Sequence, residues 1–217
     1  MEIHWDTVLS MLREVSMTMI RRAIISCHDK TGVVELARLL REFNVEIIST
    51  AGTLNVLHDA GIEAVSIGDY TGVQEMMDGR VKSLHSKVHA GILGIRDNKL
   101  HAEQLKAFDY DWIDMVVIHP HPVEAVISQP GITLEEVVEQ IDIGGTAMIR
   151  SAAKNFRYVT VVVNPERYSA IMHELRAHNG SVTFPTRYRL ALEAFACTAE
   201  YDQAIAAYLR SIVPPEE

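Results

Sequence analysis

The stretch RAIISCHDKTGVVELARLLREFNVEIIST, Arg22 to Thr50, decides the fold of this chain. It begins and ends with short runs of apolar and β-branched residues, RAIISC and VEIIST, which are typical of buried strands and too short for helices. Residues 31–43 between these runs have helical periodicity, with an apolar face formed by Val33, Leu36, Ala37, Leu40 and Phe43. The order of strand, helix and strand predicts two parallel strands joined by a helix that covers them.

The same alternation continues along the chain. The runs EAVSI, DMVVIH and VTVVV predict further buried strands. Thr133 opens the segment TLEEVVEQI as a helix N-cap, because Glu136 completes a capping box. We therefore expect an α/β fold in which a mostly parallel sheet of about five strands is flanked by helices, with an antiparallel or helical addition from the C-terminal stretch.

The composition is that of one domain, since 217 residues with 48% hydrophobic content can bury one substantial core. A net charge of -9 makes the surface repel nucleic acid and acidic membranes, so neither is an expected partner, and a phosphate-bearing ligand needs a local cluster of cations. Cys27 and Cys197 lie far apart, which favours free thiols in a reducing compartment and a cytoplasmic location. No apolar run approaches the roughly 20 residues that cross a bilayer.

Three regions follow from this pattern. Residues 1–21 form an N-terminal extension, which we expect to be a helix, because its acidic residues and the lack of a small-residue cleavage site argue against a signal peptide. Residues 22–213 form the domain, which includes a C-terminal helical stretch from Tyr188 to Val213. Residues 214–217 are a Pro-rich polar tail.

Ligands of an open parallel sheet bind where strand carboxyl ends meet helix N-termini, so the turns after the strands form the candidate site. The turn SCHDKTG contains four polar residues before a helix: Ser26, Asp29, Lys30 and Thr31. Free backbone amides at that helix start bind anions, although a plain helix cap beside a solvated lysine explains this turn equally well. The turn STAGT, residues 49–53, offers a second set of donors. Because both strand ends face the same edge of the sheet, the two turns together predict a shared anion pocket.

A third segment, DGRVKSLHSKVHAGIL, concentrates positive charge in an acidic protein. Its cationic and imidazole side chains are Arg80, Lys82, His85, Lys87 and His89. The apolar periodicity is too weak for a surface helix, and the cations indicate an anionic ligand. His85 and His89 have the spacing of a chelating pair only if the segment is helical, and the glutamate of the zinc-protease pattern is missing, so we expect no metal there.

The motifs are more specific when they are read together. SCHDKTG, STAGT, DGRVKSLHSKVHAGIL and IDIGGTAMIRSAAKN resemble, in this order, motifs of the inosine monophosphate cyclohydrolase domain of the bifunctional purine-biosynthesis enzymes, over Arg22 to Leu209. The STAGT turn is shared across the methylglyoxal-synthase-like superfamily, whereas the other long motifs are specific. The resemblance implies a methylglyoxal-synthase-like fold. In that family the last helical stretch precedes a formyl-transferring domain, and since this chain stops there, we expect a stand-alone and divergent domain.

The resemblance also implies a reaction, the last step of de novo purine synthesis. The carboxamide nitrogen of a formylated aminoimidazole carboxamide ribotide attacks its own formyl carbon, and loss of water gives inosine monophosphate. Neither a cofactor nor a metal is required. Because the nucleophile is a poor amide nitrogen and the electrophile is a formamide, the protein must orient both groups, stabilise an oxyanion and move protons.

The same resemblance implies roles for individual residues. Those expected to bind the ribotide are Asp29, Lys30, Thr50, Thr53 and Arg80. Neighbours that complete the expected substrate contacts are Ser26, His28, Thr31, Ala51, Gly52, Ser83, His119, Ile143, Gly144 and Gly145. The expected catalytic residues are Lys82, His121, Asp142 and Lys154. Without the motif, Asp142 and Lys154 are better interpreted as a structural ion pair.

The stretch after the fourth predicted strand departs from the family, which usually has Asn-Leu-Tyr-Pro-Phe where this chain has His-Pro-His-Pro-Val at residues 119–123. His121 can replace the tyrosine as a hydrogen-bond donor to an oxyanion, but its charge changes near neutral pH. The pair His119 and His121 also mimics a metal-binding His-x-His. Only Asp29 and Asp142 are available to complete a ligand set, so we expect the pair to face the substrate without a metal.

Two further departures, His28 in a usual serine position and Ser83 in a usual threonine position, touch the same pocket. They leave two alternatives to inosine monophosphate formation: a paralogue that cyclises an analogue ribotide, and a purine-nucleotide-binding regulatory domain without catalysis.

Association is expected as well, because the family is usually dimeric. The C-terminal stretch has an apolar face that can pack on a second copy or within its own chain, formed by Phe195, Ala199, Ile205 and Tyr208. We expect a homodimer, and a separate formyltransferase protein as a further partner.

Overall fold

In the computed structural model, which describes residues 17–73 and 76–212, a parallel sheet of five strands forms the centre of the fold. The strands are β1 (Met17–Met19), β2 (Arg22–Cys27), β3 (Glu46–Ser49), β4 (Val65–Ser66), β5 (Met115–His119), β6 (Thr160–Val162) and β7 (Ser181–Thr183). The central sheet has the order β4-β3-β2-β5-β6, with every neighbouring pair parallel. Each of its strands lies in one of the predicted apolar runs, so the predicted α/β fold is confirmed.

The apolar runs form strands because this sheet is covered on both faces. Residues 23–25 of β2 are fully buried, and β5 is buried along its whole length. Such continuous burial favours β-branched side chains and leaves no polar alternation. The register pairs Ile25 with Ser49 and Cys27 with His119, so the carboxyl ends of β2, β3 and β5 meet at one edge of the sheet.

Helices cover the sheet on both sides. They are α1 (Val33–Glu42), α2 (Ala51–Asp59), α3 (Ile67–Thr71), α4 (Ser86–Leu93), α5 (Lys99–Ala107), α6 (Val123–Ile127), α7 (Leu134–Glu139), α8 (Gly144–Lys154), α9 (Tyr168–Ala177) and α10 (Phe184–Ser211). α1 lies within the helix predicted from the apolar face. α7 has the predicted capping box, in which the Thr133 hydroxyl accepts the Glu136 N–H at 3.2 Å and the Glu136 carboxylate accepts the Thr133 N–H at 2.9 Å.

One prediction about the basic segment was wrong, because part of it is the helix α4. This helix buries Val88 and Ile92 against the core, and His85 caps it by accepting the Lys87 N–H at its Nδ1 atom, 3.1 Å away. Only the C-terminal half of the segment is helical. The apolar periodicity of this short helix was therefore not evident when it was read together with the polar residues that precede it.

A separate antiparallel pair, β1 with β7, attaches the N-terminal end of the described chain to the domain. The Ile20 N–H continues this contact by donating to the Gly180 carbonyl at 2.9 Å. The predicted N-terminal helix is thus wrong for residues 17–21, of which 17–19 form a strand and 20–21 link it to β2. Residues 1–16 lie outside the described residues, as does the tail at 214–217. The division into extension, domain and tail stays a prediction.

α10 divides its apolar side chains between two environments. Ile205 and Tyr208 pack on a small cluster around Tyr201 within the same chain, whereas Phe195 is 40% exposed. Part of the face expected to form a dimer is therefore buried inside this chain. The homodimer itself stays a prediction.

Cys27 is buried and Cys197 is half-buried, and both are free thiols as predicted. In the part of the chain that the structure describes, no helix combines the length and the apolar character needed to cross a membrane.

Candidate functional site

A cleft with a volume of about 720 Å³ lies at the carboxyl edge of the sheet, and this volume is typical of small-molecule sites. The turns after β2, β3 and β5 form part of its wall, together with the segments 79–83 and 138–148. The predicted site residues that line it are Ser26, His28, Lys30, Thr50, Gly52, Arg80, Lys82, Ser83, His119, His121, Asp142, Ile143, Gly144 and Gly145. Motifs that are far apart in sequence therefore converge on one cleft, because parallel strands end at the same edge.

The turns after β2 and β3 are joined directly, since Ser26 Oγ and Thr50 Oγ1 lie 2.6 Å apart. Thr50 precedes α2, whose first N–H groups, on Ala51 and Gly52, have no acceptor within the helix. A side chain added at Gly52 would meet no atom within 4 Å, so the space beside that residue is open. The two turns thus form one cradle of hydroxyl and amide donors, an arrangement that suits a phosphate group.

Several residues expected to touch the ligand shape these turns without lining the main cleft. Asp29 Oδ1 accepts the Thr31 N–H at 2.9 Å, which closes the turn before α1. The buried Thr53 hydroxyl accepts the Cys27 N–H at 3.0 Å and donates to the Cys27 carbonyl at 3.2 Å. Ala51 faces a neighbouring cavity of about 510 Å³. These residues have supporting positions in the structure, and the ligand contacts that the resemblance implied for them stay predictions.

Lys154 is also placed differently from the expectation. It is the exposed last residue of α8, an eleven-residue helix whose first residue, Gly144, lines the cleft. At 1.5 Å per residue the two ends are about 15 Å apart, so Lys154 lies away from the cleft. Within residues 17–73 and 76–212 it forms no ion pair with Asp142 either. The structure therefore does not have the ion pair between Lys154 and Asp142, and the catalytic role of Lys154 stays a prediction.

The cationic side chains that border the cleft are Lys30, Arg80 and Lys82. The Lys30 ammonium donates to the carbonyls of Cys27 and His28, which folds this side chain back on the end of β2. Arg80 pairs with Glu139 of α7 at the cleft. Because these two side chains are 63% and 51% exposed, solvent screens the ion pair and its strength is small. Arg80 is thus held by a carboxylate that an incoming anion can replace.

Asp142 is fixed by the start of α8. Its Oδ1 atom accepts the Gly145 N–H at 2.7 Å, and its own N–H donates to the Tyr201 hydroxyl at 2.8 Å. A Cβ at Gly145 would overlap the Asp142 carboxylate, and one at Gly144 would overlap the Ser83 hydroxyl. The glycine pair of the IDIGG motif is therefore required by the close approach of these two side chains.

The electrostatic environment of Asp142 suits proton transfer. Burial raises the pKa of its carboxyl group, and this effect outweighs the Gly145 hydrogen bond and the electrostatic influence of His121 and Lys82, which lower it. An acid whose pKa moves up towards neutrality can both accept and return a proton. Lys82 is close enough to Asp142 to influence its charge, and it borders both cavities.

His121 is the second titratable group of the cleft. Its ring packs edge-on against His28, with ring centroids 4.3 Å apart. Burial lowers the pKa of His121, the positive charge of His28 lowers it further, and Asp142 opposes both effects. Among the described residues, no protein group hydrogen-bonds to its buried Nδ1 atom. A neutral imidazole with an unused ring nitrogen therefore borders the cleft beside Asp142.

His119 differs from His121 because the protein engages both of its ring nitrogens. Nδ1 lies 3.2 Å from the Asp29 carbonyl oxygen, and Nε2 lies 3.2 Å from the Tyr168 hydroxyl. The residue is 8% exposed, and burial lowers its pKa. His119 lines the cleft and also supports the turn after β2, and its expected role as a substrate contact stays a prediction. Within the described part of the chain, no three His, Cys, Asp or Glu side chains are grouped as a metal site requires.

Sequence reasoning missed Glu139, Tyr168 and Tyr201. The Tyr168 hydroxyl reaches a residue 49 positions away in sequence, and the Tyr201 hydroxyl reaches one 59 positions away. Such contacts exist only after the helices pack on the sheet. No local pattern marks them in the sequence.

Comparison with known proteins matches two parts of this chain to two family models. The family model described as the MGS-like domain matches residues 32–147, and that of the AICARFT/IMPCHase bienzyme matches residues 152–217. The chain is 48% identical over 203 residues to the Bifunctional purine biosynthesis protein PurH of Chlorobium chlorochromatii, an alignment that covers 94% of this chain and 39% of that protein. It is 49% identical over 199 residues to the protein of the same name from Acetivibrio thermocellus, covering 92% and 38%.

A solved structure is similar over nearly its full length. The crystal structure of ForH has a TM-score of 0.77 and 31% sequence identity, and the match covers 88% of this chain and 99% of that one. In contrast, the chain spans only 39% and 38% of the two PurH proteins. The similarity to PurH is thus confined to one part of those longer proteins.

Proposed function

The chain belongs to the MGS-like domain family, with residues 152–217 matching the AICARFT/IMPCHase bienzyme, and on this premise we propose that it closes the purine ring of inosine monophosphate. Its homology to PurH proteins supports an enzyme of purine biosynthesis. The assignment of inosine monophosphate formation is supported chiefly by one observation. Asp142, whose pKa is raised, borders the same cleft as the neutral His121, next to a cradle of phosphate-binding donors.

The proposed reaction requires two proton movements. The carboxamide nitrogen attacks the formyl carbon and gives up one of its two protons, which forms a tetrahedral carbon with a negatively charged oxygen. The formylated nitrogen then gives up its proton as a carbon–nitrogen double bond forms. The former formyl oxygen takes both protons and leaves as water. The protein must therefore provide an oxyanion partner and a group that accepts and returns protons.

The cleft offers a group for each task. In the proposed complex, the turns at 26–31 and 50–53 hold the phosphate of the ribotide. Asp142 accepts the proton of the attacking nitrogen and returns it to the departing oxygen, for which its raised pKa is suited. Lys82 and the N–H of neutral His121 stabilise the oxyanion. His121 takes the part that the usual tyrosine of the family would have.

The direct test is incubation of the purified protein with the formylated ribotide while purine absorbance is followed, beside a calorimetric titration with inosine monophosphate. Turnover supports the proposal. Binding of inosine monophosphate without turnover overturns it in favour of a regulatory nucleotide-binding domain.

The edge-to-face pair of His28 and His121, which replaces the usual serine and tyrosine, supports a second candidate, a cyclase for an analogue ribotide. Turnover of such an analogue but not of the formylated ribotide would select that candidate.

His121→Tyr should retain turnover and remove the contribution of His121 to the pH–rate profile, while the acid limb caused by protonation of Asp142 remains. The pKa of His121 is lowered, so the neutral ring persists to below pH ~6.5 and its contribution changes only when the pH drops through this lowered value. A tyrosine stays neutral there and makes no such contribution. His121→Ala should lose about a hundredfold in turnover. Steady-state rates from about pH 5 to about pH 8 measure both effects.

The control for this series is His173→Tyr, a change on the exposed side of α9, which should leave the profile unchanged. If His121→Tyr has the same pH–rate profile as the wild type, no part of that profile belongs to His121 and His121 is not the oxyanion partner.

Glu139→Gln should tighten the binding of inosine monophosphate by up to about fivefold at low salt, because Arg80 no longer has to leave a carboxylate. The gain should shrink at high salt, since the ion pair is already screened there. Calorimetric titrations at two salt concentrations measure it, with the exposed Glu135→Gln on the same helix as control. Weaker binding by Glu139→Gln would instead show that Glu139 holds Arg80 in its binding position.

A further inference from the structure

Tyr168, the first residue of α9, is buried beneath the turn that follows β2. It is 3% exposed, and a Cβ added at Gly32, the residue that precedes α1, would lie only 3.1 Å from its ring. The Tyr168 hydroxyl lies 3.2 Å from His119 Nε2 and 3.5 Å from Cys27 Sγ. This side chain thus contacts the ends of β2, β5 and α1 together, although it does not line the cleft.

The hydrogen bonds of His119 allow one tautomer. The Asp29 carbonyl oxygen can only accept, so His119 Nδ1 carries a hydrogen and donates to it. Burial lowers the pKa of His119, which favours the neutral ring with a single N–H. Nε2 must then be an acceptor, and Tyr168 donates to it. Burial also raises the pKa of Tyr168, which keeps the hydroxyl protonated for this purpose.

This tautomer fixes the turn after β2. Through Nδ1–H, His119 holds the Asp29 carbonyl, and the His119 carbonyl accepts the His28 N–H at 3.0 Å. The turn held between these two bonds carries His28 and Lys30, which line the cleft. In the opposite tautomer the Nδ1 atom would have no hydrogen and would repel the Asp29 carbonyl oxygen. One of the two bonds to the turn would then be lost.

We propose that Tyr168 is a positioning residue for ligand binding: by donating to His119 Nε2 it holds His119 in the tautomer that keeps the turn from His28 to Lys30 in its binding shape. Tyr168 acts through His119 and does not touch the ligand. The kinetic part of this inference rests on the proposed function, whereas the tautomer is a property of the ligand-free protein. The two claims can therefore be tested separately.

The test is Tyr168→Phe, which removes the hydroxyl and keeps the ring that packs on Gly32. Imidazole ¹⁵N chemical shifts of the ligand-free protein should report a hydrogen on His119 Nδ1 in the wild type and a mixture of tautomers in the variant. Backbone amide shifts should change at residues 28–31. The KM for the formylated ribotide should rise about tenfold, the scale of one lost hydrogen bond, while kcat changes little.

Two comparisons separate positioning from plain stability. Tyr158→Phe removes another hydroxyl from a buried tyrosine, one that donates to Asp97 at 2.6 Å, and it should leave KM unchanged. In a His119→Asn background, which has no tautomers and restores the usual family residue, Tyr168→Phe should not raise KM further.

An unchanged His119 tautomer in Tyr168→Phe overturns the proposal, and so does an equal rise of KM in both backgrounds. If the wild type neither binds inosine monophosphate nor turns over the ribotide, the proposed function fails. The tautomer and the amide shifts of the turn then still decide whether Tyr168 positions it.

Discussion

Asp142→Asn is expected to lower turnover of the formylated ribotide by about two to three orders of magnitude, the usual scale for loss of a proton-transfer group. Asparagine keeps the oxygen that accepts the Gly145 N–H, so the start of α8 should retain its shape. Only the ability to accept and return a proton is removed. Initial rates at saturating ribotide, together with calorimetric affinity for inosine monophosphate, distinguish lost chemistry from lost binding.

The matched control is Asp59→Asn at the exposed C-terminal end of α2, which should leave the rate unchanged. Turnover by Asp142→Asn within about threefold of the wild type would remove Asp142 from the chemistry.

Asp142→Asn should also be more stable than the wild type at neutral pH. Because burial raises the pKa of Asp142 in the folded state, the unfolded chain loses this proton at lower pH than the folded chain does. The wild type therefore loses stability as the pH rises from about 4, the pKa of an unfolded aspartate, through the raised folded value. The asparagine side chain of the variant does not ionise, so its advantage should vanish below about pH 4 and be complete above the folded pKa. Urea unfolding across this range measures it.

Arg187→Ala is expected to reduce the free energy of unfolding by about 3–5 kcal/mol, the range for removal of one partner from a buried charged network. Arg187 is 0% exposed and donates to the carbonyls of Phe156 at 3.0 Å, Arg157 at 2.8 Å and Val182. Burial lowers its pKa to about 10, so it stays charged at neutral pH. The variant would leave these carbonyls without their donor and open a cavity beneath α10.

Thermal unfolding should show this as a Tm lower by about 10 °C or more for a chain of this size. Arg189→Ala, two residues further along α10 and exposed, should change stability by less than about 0.5 kcal/mol. A loss below about 1 kcal/mol for Arg187→Ala would mean that water replaces the guanidinium at these carbonyls.

The sheet and the helix α1 were predictable because they follow from burial on both faces. A strand such as β5 has no exposed side, so its sequence MVVIH shows the continuous apolar run that separates it from a surface strand. The β1–β7 pair was not predictable in the same way. Each strand has only three residues and pairs at the margin of the fold, which is too short for any periodicity to appear.

The candidate site was predictable where it depends on strand ends and not where it depends on helix direction. Ser26 and Thr50 meet because parallel strands deliver their turns to the same edge. The position of Lys154 was not predictable because a motif gives the identity of a residue and its distance along the chain, whereas the direction of α8 puts that residue away from the cleft. The contact of His119 with Tyr168 was not predictable because Tyr168 comes from a helix far away in the sequence.

The sequence by itself determined the parallel sheet, the donor-rich turns and the family, because these depend on local patterns and on residue identities in order. Only the tertiary structure decided which side chains face the cleft and in which direction their pKa values shift. The raised pKa of Asp142 and the lowered pKa of His121 both arise first from burial. This burial arises only when distant elements pack together, as when Tyr201 of α10 contacts the Asp142 backbone. It therefore cannot be predicted from any single stretch of sequence.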